Sequence, residues 1–243
     1  MFAIDRVFTG SKPFKQSVLW IIEEVCGLSK VKSIEEAMEF IEDGMTVMLP
    51  GFLGVGTPKA LIDAICERKI GNLTVIYNDG AFPGVGIGKL IRYGLVRKLI
   101  STHTGTNPEL VKAIADGEIE MEMLPQGTLV ERIRAAGAGL GGFLTPTGVG
   151  TKVEEGKTVM ELDGRRYLLE LPLRADIALL YAHKGDTAGN LVYRRAARNF
   201  NPIMATAADF VIAEVENLVD VGEIDPDHVM TPGIFVDIIV KGV

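Results

Sequence analysis

The chain has little cysteine, little aromatic surface, few histidines and no run of basic charge. Its two cysteines, Cys26 and Cys66, show no Cys-x-x-Cys spacing and cannot make a disulfide framework. Their scarcity fits a reducing compartment. Cys66 falls within the helical pattern LIDAICERK and reads as a buried structural thiol. The three histidines, His103, His183 and His228, lie far apart and share no ligand spacing with Cys, Asp or Glu, so no metal site is expected. Aromatics are 7% of the chain and the formal charge is −7, without basic–aromatic interleaving. That composition argues against a nucleic-acid partner. An acidic chain can still hold an anionic ligand, through local backbone N–H groups or a few placed cations. The most apolar N-terminal run, residues 17–28, is broken by Glu23 and Glu24. It is too short to span a bilayer and lacks a small-residue cleavage site. The expectation is a cytoplasmic protein with no membrane contact.

What is present is aliphatic and rich in glycine. Hydrophobic residues make up 47% of the chain and charged residues 23%, with mean hydropathy +0.25. This is an α/β composition with enough apolar residues for a sizeable core. A length of 243 residues suits one large domain or two small ones. Residues 1–30 hold the only tryptophan, Trp20, and lack strand–helix alternation. They read as an N-terminal extension of a domain covering 31–243.

Regular alternation begins at Ser33. SIEEAMEFIEDG reads as one amphipathic helix, with Ser33 as N-cap, Glu36 completing a capping box and Gly44 at its end. The strand MTVMLPGF then enters a glycine loop, and PKALIDAICERK is a helix with Pro58 in its first turn. LTVIYN, LVRKLISTH and EIEMEML read as strands, NPELVKAIADG and GTLVERIRAAG as helices. This order implies an α/β fold, a mostly parallel sheet flanked by helices. Ligands of such sheets bind beyond the carboxyl ends of the strands, which singles out the loops at 50–58, 78–88, 103–108 and 124–128. The C-terminal half is strand-rich. Residues 158–162 and 165–169 flank Asp163-Gly164, a hairpin signal, and ADIALLYA, NLVY, ADFVIAEVE and GIFVDIIV read as further strands.

Three loops carry candidate chemistry. In VMLPGFLGVGTP, Gly51, Gly54 and Gly56 lead from an apolar strand to a helix start. Such a loop can offer N–H groups to an anion, or it is a plain tight turn. Its spacing is neither the dinucleotide fingerprint nor a Walker A loop. Asn78-Asp79-Gly80 follows a strand and reads either as a turn or as an amide and a carboxyl facing a substrate. Gln126, between Pro125 and Gly127, is a neutral donor of the kind an oxyanion site uses, or an ordinary loop residue. A further stretch packs six glycines into residues 137–150 before TPTGVGT ends at Thr151. So much glycine points to close backbone approach or positive φ. Arg194, Arg195 and Arg198 read as solvated or structural, with Arg198 in RNFNP a candidate brace for a neighbouring protomer.

Taken together these segments resemble the family I CoA-transferases. The resemblance rests on Asp43-Gly44, the Gly51-Phe52-x-x-x-Gly56-x-Pro58 segment, Asn78, PQGT at 125–128, ERIRAAGAG, TPTGVGT, ADIALLYAHKGDTAGNLVYRRAARNFNP and TPGIFVDIIVK. These occur in family order over residues 31–241. One position departs: the family has Gly-Gly-Phe where this chain has Pro50-Gly51-Phe52, and Pro50 removes one backbone N–H. The likeness is only to the α subunit. The family's nucleophile is a glutamate in a Glu-Ser-Gly or Glu-Asn-Gly motif of the β half. This chain offers only Glu42-Asp43-Gly44 and Glu154-Glu155-Gly156, which read as surface turns.

The resemblance therefore implies a ping-pong CoA-transferase in which a partner β subunit supplies the glutamate, in an α₂β₂ assembly. CoA is a substrate, and no cofactor is permanently bound. Gln126 would be the oxyanion donor. Asn78 and Asp79 would hold the substrate's carboxylate or carbonyl beside Gly51, Phe52 would form an apolar wall, and Gly54, Gly56 and Thr145 would be loop residues near the site. Succinyl-using relatives often have a second Asn in place of Asp79, whose charge disfavours a second carboxylate nearby. Residues 139–144, GLGGFL, resemble the short-chain transferases, so acetoacetyl-CoA exchanging with acetate or butyrate is the expected pair. Succinyl-CoA and 3-oxoadipate transferases stay open as alternatives. So does a non-catalytic subunit that binds CoA or serves as a scaffold. The TPTGVGT block disfavours a sugar-phosphate isomerase of similar fold.

Overall fold

The computed structural model describes residues 30–242. The extension read at the N-terminus, with Trp20 and Cys26, lies outside the described residues apart from Lys30. Strand β1 (Val31–Lys32) leads to Ser33, whose hydroxyl accepts from the Glu36 N–H while the Glu36 carboxylate accepts from the Ser33 N–H. This is the capping box read from sequence. The helix it starts is shorter than the pattern suggests. α1 (Ile34–Ala37) gives way to a 3₁₀ turn at Met38–Phe40, and the chain is extended by Ile41. Tertiary contacts decide this: Ile41 is buried, and Phe40 stacks on Phe210 with ring centroids 4.7 Å apart.

The alternation then follows as β2 (Thr46–Met48), α2 (Lys59–Arg68), β3 (Leu73–Ile76), α3 (Ile87–Arg92), β4 (Val96–Ser101), α4 (Pro108–Ala115), β5 (Glu120–Met123) and α5 (Gln126–Gly137). Pro58 sits at the N-cap of α2 instead of inside its first turn. α3 occupies the end of a stretch read as loop. It has six residues among glycines, too short for helical periodicity to stand out. After α5 come β6 (Phe143–Thr145), β7 (Val159–Leu162), β8 (Arg165–Glu170), β9 (Ala175–Asp186), β10 (Leu191–Val192), α6 (Asn201–Met204), β11 (Ala208–Val219) and β12 (Ile238–Lys241). GIFVDIIV begins as a 3₁₀ turn and is strand only over β12.

The main sheet runs β1-β12-β11-β9-β2-β3-β4-β5, every neighbouring pair parallel, with β10 antiparallel to β9. The long C-terminal strands β9, β11 and β12 thus extend the same parallel sheet. Only β6, β8 and β7 form a separate antiparallel sheet, closed by the Asp163-Gly164 turn with φ of +52° and +72°, the mirror-image geometry two-residue hairpins favour.

Alternate residues of the strands feed two cores. Val47, Val75, Leu99, Leu179 and Ile212 pack under α1 to α4, while Met48, Ile76, Ile100, Ala178 and Ala213 pack under α5 and α6. Cys66 is a buried free thiol, and burial pushes it above its ordinary pKa. Among the described residues no helix is long and apolar enough to cross a membrane.

Candidate active site

Parallel pairing of β2, β3, β4 and β5 brings their carboxyl ends to one edge in sequence order. The loops singled out from sequence gather there. In the first, Gly51 has φ +146°, and a Cβ on it would lie 2.3 Å from both Thr57 Oγ1 and Tyr77 Oη. Those two hydroxyls bond each other at 3.0 Å, and burial pushes the Tyr77 phenol far above its ordinary pKa. Phe52 and Val55 exchange both backbone hydrogen bonds, 3.1 and 2.9 Å, which closes the tip of the loop. Phe52 is 53% exposed there. Gly54 and Gly56 take φ +87° and +83° against Val85 and Ala197.

Two residues that sequence reasoning missed hold this loop. Asn199 Nδ2 donates to Val55 O at 2.9 Å, and Asn201 Nδ2 donates to Gly56 O at 3.0 Å. They belong to RNFNP, where asparagines beside a proline give only a turn signal. Arg198, read as a candidate brace, is exposed.

Asn78 and Asp79 are 3% and 2% exposed at the end of β3. Asp79 Oδ1 accepts from Ala81 N at 2.6 Å, and Oδ2 accepts from Leu53 N and from Asn78 Nδ2, each at 3.0 Å. Asp79 therefore ties the glycine loop to the strand end. The carboxylate fixes the orientation of the Asn78 amide, because only its nitrogen can donate, and Asn78 Oδ1 has no hydrogen-bond partner. Ser101 Oγ at the end of β4 and Thr128 Oγ1 in the first turn of α5 are also buried and unpartnered. Buried polar atoms are nearly always bonded. Here the three exceptions follow β3, end β4 and sit in the helix after β5, and all three are closed off from solvent.

Gln126 is the first helical residue of α5, and Pro125 caps that helix without a side-chain bond. Its side chain is exposed and bonds to nothing among the described residues. The neighbouring Gly127 faces open space, so the approach to this helix start is clear. Thr145, expected in a loop, is the last residue of β6, pairs with Leu168 and accepts from Thr147 N. Just before this strand Gly142, at φ +147°, sits against Glu170 O with no room for a Cβ.

Of the two Glu-x-Gly motifs, Glu42 and Asp43 are exposed, and Asp43 accepts from Gly71 N at 2.6 Å. Glu154 is bound by Gly150 N and by Arg166, and both hold its carboxyl below the usual range. Among the described residues no group of three His, Cys, Asp or Glu side chains is gathered to hold a metal ion.

Comparison with known proteins agrees with this architecture. The chain is 54% identical to the alpha subunit of the acetate CoA-transferase of Escherichia coli K12, covering 87% of this chain and 96% of the relative. It is 50% identical to the acetoacetyl-CoA:acetate/butyrate CoA transferase alpha subunit of Clostridium acetobutylicum, over 88% and 98% of the two chains. Identity to the corresponding subunit of the 3-oxoadipate CoA-transferase of Pseudomonas putida is 48%, over 86% and 91%. Among solved structures, an acyl-CoA transferase of E. coli O157:H7, in a thioester complex with CoA, superposes with a TM-score of 0.78 at 25% identity. The match covers 89% of this chain and 48% of that one, so this chain spans about half its length. Residues 31–242 match the family described as Coenzyme A transferase, and the chain belongs to that family.

Proposed function

We propose that this chain is the α subunit of a CoA-transferase that moves CoA between acetoacetyl-CoA and acetate or butyrate, with the catalytic glutamate contributed by a β subunit. The observation that carries the reading is Gln126, exposed and, among the described residues, unbonded at the start of α5 on the carboxyl edge of the sheet. This chain's own Glu-x-Gly motifs are surface or engaged.

In the proposed cycle the partner's glutamate attacks the acyl-CoA carbonyl and CoA thiolate leaves, giving a mixed anhydride. The thiolate attacks the glutamyl carbonyl, releases the first carboxylate and forms a glutamyl-CoA thioester. The incoming carboxylate attacks that thioester and expels thiolate again. Thiolate then attacks the new acyl carbonyl and frees the glutamate. Gln126 donates to the oxyanion of these tetrahedral states. A neutral amide suits the task, since it stabilises the developing charge without first trapping a carboxylate. Phe52 and the Gly51 loop form one wall, and Asn78 holds the substrate's carboxylate or carbonyl. The assembly proposed is α₂β₂ in the cytoplasm.

Asp79 bears on the choice of acyl group. Its buried carboxylate adds negative charge beside Asn78, which disfavours a dicarboxylate substrate. The 48% identity to part of a 3-oxoadipate enzyme keeps that substrate as the second reading. The test is loss of acetoacetyl-CoA with acetate, butyrate, succinate or 3-oxoadipate as acceptor, for this chain alone and with its β-type partner. Turnover only in the mixture, fastest with acetate or butyrate, is the expected result. Turnover by the chain alone would overturn the borrowed glutamate.

A further inference from the structure

The loops that leave β2 and β3 carry the same five-residue pattern, Phe52-Leu53-Gly54-Val55-Gly56 and Phe82-Pro83-Gly84-Val85-Gly86. Each folds into a turn at the carboxyl edge. Val55 N donates to Phe52 O at 2.9 Å, and Val85 N donates to Phe82 O at 3.0 Å. The matching glycines share positive φ: Gly54 and Gly84 at +87° and +71°, Gly56 and Gly86 at +83° and +53°. In both turns the phenylalanine and the valine are exposed. The turns lie against each other, since a Cβ on Gly54 would fall 2.4 Å from Val85 Cγ1.

Two residues here take a conformation that their side chains disfavour. Leu53 has φ +50°, and Ala81, just before the second turn, has φ +51°. With Gly54, Leu53 gives the first turn positive φ at both central positions, a geometry that ordinarily selects Asn, Asp or Gly. Such residues persist where their surroundings hold them. One side chain bonds to both. Asp79 Oδ2 accepts from Leu53 N at 3.0 Å, and Oδ1 accepts from Ala81 N at 2.6 Å. Oδ2 also accepts from Asn78 Nδ2 at 3.0 Å. Asp79 is 2% exposed, so its carboxylate is spent within the chain. An ionised acceptor bonds N–H groups about twice as strongly as a neutral one. An amide at this position would offer one oxygen and turn its own N–H groups toward Leu53 or Ala81.

We propose that Asp79 is a positioning residue and not a substrate contact: its carboxylate locks the twin turns, with Phe52 and Phe82, side by side at the end of β3, so that the acyl group meets a preformed apolar wall. What the wall receives rests on the CoA-transferase reading; the lock rests on the bonds alone.

The test compares wild type, Asp79→Asn, and Asp79→Asn with Leu53→Gly and Ala81→Gly added, because glycine takes positive φ without support. Steady-state rates are measured on the α–β complex with acetoacetyl-CoA and either acetate or butyrate. Amide hydrogen exchange at Val55 and Val85 reports closure of the two turns. Asp79→Asn should lower kcat by about tenfold or more with either acceptor, change the KM for acetate far less, and speed exchange at both valines. The added glycines should return most of the lost rate and slow the exchange again. A substrate contact behaves differently: its loss moves the KM of the carboxylate, and no glycine restores it. An unchanged kcat, a shift confined to KM, or no recovery with the glycines would overturn the proposal. So would failure of Asp79→Asn to assemble with the β chain when the glycines do not restore assembly. Wild type that transfers no CoA would sink the CoA-transferase reading instead. In that case exchange that rises in Asp79→Asn and falls again with the glycines upholds the lock, and unchanged exchange overturns it.

Discussion

Gln126, Asn78 and Asp79 show how differently side chains of similar polarity behave at one edge. Gln126 is exposed and unengaged, Asn78 is buried with a free acceptor, and both oxygens of Asp79 are engaged within the chain. Replacing Gln126 by Ala is expected to lower turnover by about 10²–10³-fold while the variant still assembles; an unchanged rate in a steady-state assay would remove it from the mechanism. Glu214 gives a pH test. Burial raises its pKa, and the Leu61 and Ala60 N–H groups oppose that only in part. A raised folded-state pKa means that the stability contribution is fully present below the unfolded value of about 4.3 and is lost as pH rises through the folded value. Glu214→Gln, which keeps an acceptor and cannot ionise, should match wild type near pH 4 and gain in Tm over it as pH rises toward 8. A gap that narrows over that range in thermal melts would reject this account. Gln126, Asn78 and Asp79 were legible in sequence as candidates. Their bonding was not, because Asp79's partner Leu53 lies on another loop that only the folded sheet brings close.

Among the elements, the strands and helices with strong caps or long apolar periods were readable. α4 begins at Asn107, whose side chain accepts from Glu109 N and Leu110 N, with Pro108 next. The six-residue α3 was not readable, and neither was the early end of α1, which packing around Ile41 and Phe40 imposes. The glycines of 137–150 serve separate purposes. Gly137 ends α5 where a Cβ would fall 2.0 Å from Thr206 Oγ1 and 2.7 Å from Thr206 Cβ. Ala there gains up to ~1 kcal/mol in helix propensity, but the overlap costs about 1–3 kcal/mol, and Thr206 is already bonded to Ile203 O. The expected outcome is a Tm lowered by several degrees in calorimetry, recovered only in part when Thr206→Ala is added, because the Cβ at 206 remains. No change in Tm for Gly137→Ala would mean that the helix end shifts freely.

For the whole molecule, the exposed apolar side chains matter most. Phe52, Val55, Phe82 and Val85 are 39–53% exposed on two loops at the carboxyl edge, and the proposed partner would cover them. Purified alone, the chain should self-associate through apolar surface and show no transferase activity. Adding the β-type chain should give a defined assembly with activity. Light scattering and the acetoacetyl-CoA assay read both, and a monodisperse, active single chain would contradict the two-subunit reading.

The sequence by itself determined the fold class, the parallel pairing of the N-terminal strands, the hairpin at Asp163-Gly164 and the family. Each rests on local signals: hydrophobic period, cap residues, turn chemistry and motif order. Tertiary structure alone decided three things. It joined the C-terminal strands to the same parallel sheet, since pairing partners such as Ala178 and Met48 are far apart in the chain. It converted Asp79 and the RNFNP asparagines into supports of the glycine loop. It also left Asn78 Oδ1, Ser101 Oγ and Thr128 Oγ1 buried without partners. Whether a polar group is satisfied depends on what surrounds it in space, and no local pattern encodes that.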